Sequence, residues 1–400
     1  MTTFRRRLTA GESATVRSGT SPIFAVLGGR GTAEPALLAR AWELLALEHP
    51  ILRSRIVEDD SEYVVTIDDA APPLTEPPSD DGRLDKIIHR RWNVGDPVAQ
   101  AILVQDGNTC MIIVALHHAL ADGRLTVTLL HKLARYYTLM TEGNPPRPIP
   151  RQFFELPLEQ RLAQFRNSAW AEQPSPAIGV RRLPRPEASA RESAEFEIQN
   201  LRFSQAETTR VEAIARKWRI SVNSLLSASA LAALRSLFDP PHQIPLGIGY
   251  PIDLRNRIHP PLPPEAELCC VAAWSVILPL AAQFDVIECS GTIQEVLDKA
   301  IATEAPQSAM AHGVSDTWRT NSISMSNLGR LELPPAPTGL TFENTRFMVA
   351  SPVPHPAIFV TTTAGRLNLD VIHNRDIVSD QDGKCLVERI DRTIRTLPSL

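Results

Sequence analysis

Two adjacent imidazoles, followed four residues later by a carboxylate, stand at His117-His118-Ala-Leu-Ala-Asp122-Gly123. A neutral imidazole with its ordinary pKa of ~6.5 can accept a proton from a hydroxyl near physiological pH, so the first chemistry this pattern offers is general-base work. Imidazole and carboxylate are also metal ligands, but adjacent strand residues diverge and no third ligand follows at suitable spacing. A lone histidine at a strand end is ordinarily a hydrogen-bonded structural residue. Two in tandem ahead of Asp-Gly point instead to a site. Because strand side chains alternate, one imidazole should face that site while the other packs inward. Asp122 can accept the orphan N–H groups of a following helix, and Gly123 permits a tight turn or a close backbone approach.

The motif needs a strand before it and a helix after it, and the sequence supplies both. Ala99–Val104 and Cys110–Leu116 read as a hairpin around Gln105-Asp-Gly-Asn108. Beyond His117 the apolar residues Leu125, Leu129, Leu133, Tyr136 and Met140 recur at helical spacing, so Arg124–Met140 is expected to be a helix. Upstream, Ala33–Glu48 has a helical pattern with Thr32 placed to cap it and Pro50 to end it. Ile51–Val57 and Tyr63–Ile67 read as strands. Downstream, Val222–Leu237 is expected as a buried helix and Gln243–Tyr250 and Val271–Leu280 as strands. Phe359–Thr363 and Leu367–His373 form a hairpin pattern, and Asp380–Thr396 a closing helix. The alternation is that of an α/β protein with mixed sheets.

Other familiar sites are missing from the sequence. No G-x-S-x-G elbow and no G-x-x-x-x-G-K-[ST] loop occurs. Gly28-Gly-Arg-Gly31 lacks a dinucleotide fingerprint and reads as a loop. Cys269 and Cys270 are adjacent and cannot chelate as C-x-x-C does, and Ser224, Ser227 and Ser229 read as close-packing surface on an Ala/Leu helix. The 400 residues suggest two domains. Lys+Arg 41 against Asp+Glu 45 argues against a nucleic-acid binder or a polybasic membrane anchor. Five cysteines without framework spacing read as buried or free thiols in a reducing compartment. No apolar run is long enough to span a bilayer and no signal-peptide pattern opens the chain, so the expected setting is the cytoplasm. The 34 prolines cluster at 144–150, 173–186, 260–264 and 334–337, marking loops. The expected division is an N-terminal lobe over 1–170, a linker over 171–194 and a C-terminal lobe over 195–400.

His117–Gly123 has the form HHxxxDG and resembles the signature of the condensation-domain and CoA-dependent acyltransferase superfamily. His49-Pro-Ile-Leu-Arg-Ser-Arg55 resembles its HPxLRxR element and Pro251-Ile-Asp-Leu-Arg255 its PVDLR element. Ser326-Asn-Leu-Gly329 is similar to the SNLG segment of free-standing polyketide-associated acyltransferases that make mycobacterial wax diesters. Two departures stand beside these. Pro260–Cys270 is unusually rich in proline and acid, and the aromatic-glycine motif of peptide-synthetase condensation domains is missing around Ser326, which disfavours amide formation within a megasynthase.

The resemblance implies two chloramphenicol-acetyltransferase-like α/β lobes in a V, with an active-site tunnel at their interface. It makes His118 the catalytic base and Asp122 chiefly architectural, paired with Arg255, while His117 and Gly123 shape the site; a plain helix cap is the alternative for Asp122. Ser326 and Asn327 are expected on the acceptor side, or else as a polar turn before Gly329. Arg257 and Arg330 are candidate donor-side charges, or else solvated surface. The expected activity is acyl transfer from a CoA or carrier-protein thioester to a hydroxyl, less readily an amine, of a specialised metabolite. Acyl-CoA or acyl carrier protein serves as co-substrate, with no resident cofactor or metal. Expected partners are the small-molecule acceptor and the acyl donor, with no nucleic acid, no membrane and a monomeric state. Two alternatives stay open: a repurposed enzyme that cyclises a polyketide or peptide, and a non-catalytic docking module.

Overall fold

A computed structural model describes residues 4–19, 22–77, 84–89, 92–167, 179–184, 195–239, 242–313, 321–350 and 353–398. Along the chain run β1 (Arg5–Arg7), α1 (Ala10–Arg17), β2 (Ile23–Gly31), α2 (Pro35–Glu48), β3 (Ser54–Asp59), β4 (Glu62–Ile67), α3 (Leu84–Ile88), β5 (Ala99–Asp106), β6 (Thr109–Leu116), α4 (Gly123–Thr141) and α5 (Leu158–Arg161). There follow β7 (Phe196–Arg202), α6 (Gln205–Lys217), α7 (Val222–Arg235), β8 (Ile244–Asp253), β9 (Val271–Leu280), α8 (Val286–Ala302) and α9 (Ala305–Ala311). The chain closes with β10 (Ile323–Leu331), β11 (Leu340–Val349), β12 (Ala357–Thr363), β13 (Arg366–Asn374) and α10 (Asp380–Arg395). The fold is mixed α/β, as expected. Among the described residues no helix is long and apolar enough to cross a membrane.

The chain forms two compact units. Unit 1 comprises Met1–Arg161, Arg255–Cys270 and Arg330–Pro352; unit 2 comprises Leu162–Leu254, Val271–Gly329 and Val353–Leu400. The division therefore does not follow one cut, because two segments of the C-terminal half belong with the N-terminal half. Of the expected linker 171–194, only 179–184 falls within the described residues. There Leu183 is buried in the core of unit 2 and Arg182 Nε donates to Asn321 O at 2.9 Å.

Unit 1 holds a four-stranded antiparallel sheet in the order β11-β2-β6-β5 and a three-stranded one in the order β1-β4-β3. The apolar run Ile112–Leu116 makes β6 a central strand, buried on both faces. Gly107, at φ +56°, supplies the left-handed residue that the β5–β6 turn requires. Helix α4 packs on this sheet and on α2; of the expected stripe Leu125, Leu129, Leu133 and Tyr136 are buried, while Met140 in its last turn is only half-buried.

Three local expectations are corrected. Gly28–Gly31 is not a loop but the end of β2. A Cβ on Gly29 would run into the Thr341 backbone of β11, so the glycines admit the neighbouring strand. Thr32 does not cap α2; the helix starts at Pro35 behind Glu34, whose side chain makes no capping bond, and proline suits this first position because it has no N–H to leave without an acceptor. Ile51–Arg53 is not strand but a 3₁₀ turn, Pro50–Arg53, and β3 begins only at Ser54.

Unit 2 holds a six-stranded mixed sheet in the order β7-β13-β12-β10-β8-β9, with β10 parallel to β8. Its core joins Leu246, Ile248, Val276, Val360 and Leu369 of the sheet to the nearly all-buried α7 and to α8 and α10. Two α7 serines are satisfied differently: Ser229 Oγ donates back to Leu225 O at 2.8 Å, and Ser224 Oγ reaches Gln294 Oε1 of α8 at 3.0 Å. β8 and β9 pair to their ends, Asp253 opposite Val271, so the whole intervening segment 255–270 is an excursion that belongs to unit 1.

Candidate active site

β6 delivers the motif, and the sheet ladder continues one residue past it. His117 N donates to Val98 O at 2.8 Å, after which Leu120 N donates to His117 O at 3.0 Å and closes a turn. Strand geometry thus stops at His117, and both histidines sit half-buried at the turn that follows. The indole of Trp92 lies against the His117 ring, with centroids 6.3 Å apart and a tilt of 54°.

The hydrogen bonds fix opposite tautomers on the two histidines. Ala119 N–H donates to His117 Nδ1 at 3.2 Å, so that nitrogen carries a lone pair and the ring proton sits on Nε2. Burial, aided by the charge of neighbouring His118, pushes the His117 pKa down to about 4. His118 Nδ1 lies 3.0 Å from the Ala121 carbonyl, which can only accept; the proton is therefore on Nδ1 and the lone pair on Nε2. His118 Nε2 has no hydrogen-bond partner among the described residues.

Asp122 performs both roles that the sequence left open. Its Oδ1 accepts from Leu125 N at 3.0 Å, capping α4. Its Oδ2 accepts from Arg255 Nη1 and from Cys270 N, each at 2.7 Å. Asp122 and Arg255 are 1% and 2% exposed, so the pair is buried within unit 1, where it ties segment 255–270 to the motif. Gly123 is simply the first residue of α4 and is not among the glycines with positive φ.

The structure does not gather every candidate in one unit. Arg257 and Arg330 are exposed residues of unit 1, whereas Ser326 and Asn327 belong to β10 in unit 2. Asn327 Oδ1 accepts from Gly329 N at 2.8 Å, and its Nδ2 donates to Asn223 Oδ1 at 3.3 Å, so both ends of its amide are bonded within β10 and to α7.

A second polar cluster in unit 1 escaped the sequence reading. Glu267 accepts from Ile51 N at 2.9 Å and from His49 Nδ1 at 3.0 Å, and Arg151 lies 3.6 Å away. His49 Nε2 faces Lys132 Nζ at 3.0 Å, and Lys132 reaches Glu48 at 2.6 Å. Burial raises the Glu48 pKa, but its bonds to Lys132 and Tyr136 outweigh that and leave it below the ordinary value. Arg53 spends its guanidinium on the carbonyls of Ala46, Asp68 and Arg151. The only sequence signal was the acid in the proline-rich stretch 260–270 and the His-Pro before an apolar run.

Two family models match this chain: the Condensation domain over residues 22–258, and the Phthiocerol/phthiodiolone dimycocerosyl transferase C-terminus over residues 192–372. The phthiocerol/phthiodiolone dimycocerosyl transferase of Mycobacterium sp. (strain JLS) is 25% identical over 297 residues, covering 70% of each chain. Its counterpart from Mycobacterium tuberculosis is 26% identical over 306 residues, covering 71% of this chain and 70% of that one. Among solved structures, polyketide synthase associated protein 5 from Mycobacterium tuberculosis matches with a TM-score of 0.79 at 22% identity, covering 98% of both chains. The first condensation domain of the CDA synthetase matches with a TM-score of 0.71 at 15% identity, covering 98% of this chain and 96% of that one. The fold, the HHxxxDG turn and the first family model agree. The chain belongs to the condensation-domain family.

Proposed function

We propose that the protein is an acyltransferase that moves an acyl group from a CoA or carrier-protein thioester to a hydroxyl of a specialised metabolite, with His118 as general base. The observation that carries this reading is the tautomer of His118. With Nδ1–H held by the Ala121 carbonyl, Nε2 presents a basic lone pair in a fixed direction. Nε2 takes the hydroxyl proton as the oxygen attacks the thioester carbonyl. The tetrahedral intermediate then collapses with loss of the C–S bond, and the imidazolium returns the proton to the departing thiolate. His117 is unsuited to this step, since burial weakens it as a base and its Nδ1 lone pair already accepts from Ala119. Asp122 is no triad member: its oxygens are taken by Leu125, Arg255 and Cys270. The relatives named as dimycocerosyl transferases support transfer over other uses of the fold. In this reading Ser326 and Asn327 serve the acceptor, Arg257 and Arg330 serve the donor, and the reaction belongs to the cytoplasm.

The decisive experiment incubates the protein and His118→Gln with labelled acyl-CoA, or labelled acyl carrier protein, and a panel of alcohols and diols. Label in an ester product that disappears with His118→Gln is the expected result. A mass-neutral product, or one that has lost water without taking label, would replace transfer with cyclisation.

A further inference from the structure

Segment 255–270 is held to unit 1 at both ends, and the two holds are reciprocal. Asp122 reaches from the body to both ends of the segment, Arg255 Nη1 and Cys270 N. Beside the second of these ends, Glu267 reaches from the segment to the body, where Ile51 N and His49 Nδ1 donate to its two oxygens. Only two residues separate Glu267 from Cys270, and Arg255 Nη2 also reaches Leu268 O at 3.5 Å. The Glu267 side chain is 0% exposed and that of His49 is 1% exposed. A carboxylate in such a place is tolerated only when every oxygen is bonded and a cation lies near, conditions that Ile51, His49 and Arg151 meet.

The charges on the far side of His49 sharpen the hold. Lys132 Nζ is a donor only, so His49 Nε2 must accept from it, and the ring proton is committed to Nδ1 and Glu267. Lys132 in turn is fixed by Glu48, which also accepts from Tyr136 Oη at 2.6 Å. His49 thus relays the orientation of α4's Lys132 to the segment, and the segment returns to the N-terminus of α4 through Asp122. The Ala121 carbonyl that sets the His118 tautomer is the residue next to Asp122.

We propose that Glu267 is a positioning residue for His118, acting through Cys270, Arg255 and Asp122; this rests on the reading of His118 as the base. Glu267 touches no reacting atom. It fixes the segment that completes the shell of Asp122, and so keeps the Ala121 carbonyl aimed at His118 Nδ1. Misplacing a reacting group by about 1 Å can cost ~100-fold in rate, so a modest loosening of this shell suffices to be measured.

The test uses the full chain labelled with ¹⁵N-histidine, with the His118 ring signals assigned by their loss in His118→Gln. The unsubstituted protein is expected to show His118 as a single Nδ1–H tautomer. Glu267→Ala is expected to convert this to a mixture, to lower kcat by ~10-fold or more and to leave the thioester KM within about twofold. Glu267→Gln, whose amide oxygen still accepts from Ile51, recovers most of both. An unchanged His118 tautomer in folded Glu267→Ala overturns the proposal whatever kcat does. If the tautomer changes but kcat does not follow, and His118→Gln also turns over normally, the positioning stands and the base assignment falls. Should Glu267→Ala not fold, His49→Gln removes the Nδ1 contact while sparing Ile51 and is judged by the same tautomer signal.

Discussion

Asp122 has two carboxylate oxygens and three N–H donors aimed at them, and this dense bonding explains why so little of it is free for chemistry. Removing one partner of a buried ion pair leaves an uncompensated charge, at a cost of about 3–5 kcal/mol. Asp122→Ala and Arg255→Ala are therefore each expected to destabilise strongly, and the double variant by less than their sum, as denaturant melts would show. Additive losses in that cycle would mean the two side chains do not interact. Three histidines make a different prediction. Burial holds His117, His131 and His373 at about 4, below the ordinary 6.5. Between those values the unfolded chain takes up protons that the folded chain refuses, so stability is full above pH 6.5 and falls as pH drops toward 4. Each histidine adds up to ~1.4 kcal/mol per pH unit to that slope. His131→Gln, which can still bond Thr345, should flatten the melt-versus-pH curve by one histidine's share; an unchanged slope would show that His131 does not titrate below its free value. The Asp122–Arg255 pair was legible because both residues sit in recognisable motifs. The His49–Glu267 contact was not, since it joins ordinary residue types 218 positions apart.

Elements with a sustained period were readable to within a residue or three. α4 spans Gly123–Thr141 against the expected Arg124–Met140, and β9 coincides with its expected range. The failures share a cause: at Gly28–Gly31, Thr32 and Ile51–Arg53 the local residue preferences were overruled by a neighbour far along the chain or by proline's missing donor. β11 illustrates this, since its partner β2 admits it through glycines that in isolation signal a loop. α10 carries a related test. Gly383 lies buried on its inner face, where a Cβ would drive into the His373 ring of β13. Alanine is a better helix former than glycine by about 1 kcal/mol, yet Gly383→Ala is expected to destabilise by ~1–3 kcal/mol through overpacking. The pair Gly383→Ala/His373→Ala should recover part of that loss. A stabilised single variant would show that the ring yields.

At the scale of the whole molecule, each unit is assembled from pieces that are distant in sequence. Unit 1 takes β11 along the full length of β2, from Leu340 opposite Gly31 to Val349 opposite Ile23, and takes segment 255–270 onto Asp122. A two-lobed α/β protein was foreseeable from length and alternation, but this interleaving was not, because nothing in local periodicity records which sheet a strand will join. A fragment of residues 1–161 lacks both returning segments and leaves β2 with one side unpaired. It is expected to aggregate or to melt without cooperativity, as size-exclusion chromatography and circular dichroism would reveal; a monodisperse, cooperatively melting fragment would contradict this.

The pairing of β2 with β11 also sets a timetable. About 300 residues are synthesised between Gly31 and Leu340, and at roughly 5–20 residues per second that interval lasts on the order of 15–60 s. Throughout it β2, whose residues Ile23–Leu27 are all buried in the finished protein, has one hydrogen-bonding edge with no native partner. An apolar edge of that kind recruits other strands, including those of neighbouring chains on the same message. The nascent chain, more than the completed protein, is therefore the form whose β2 edge is open to wrong partners.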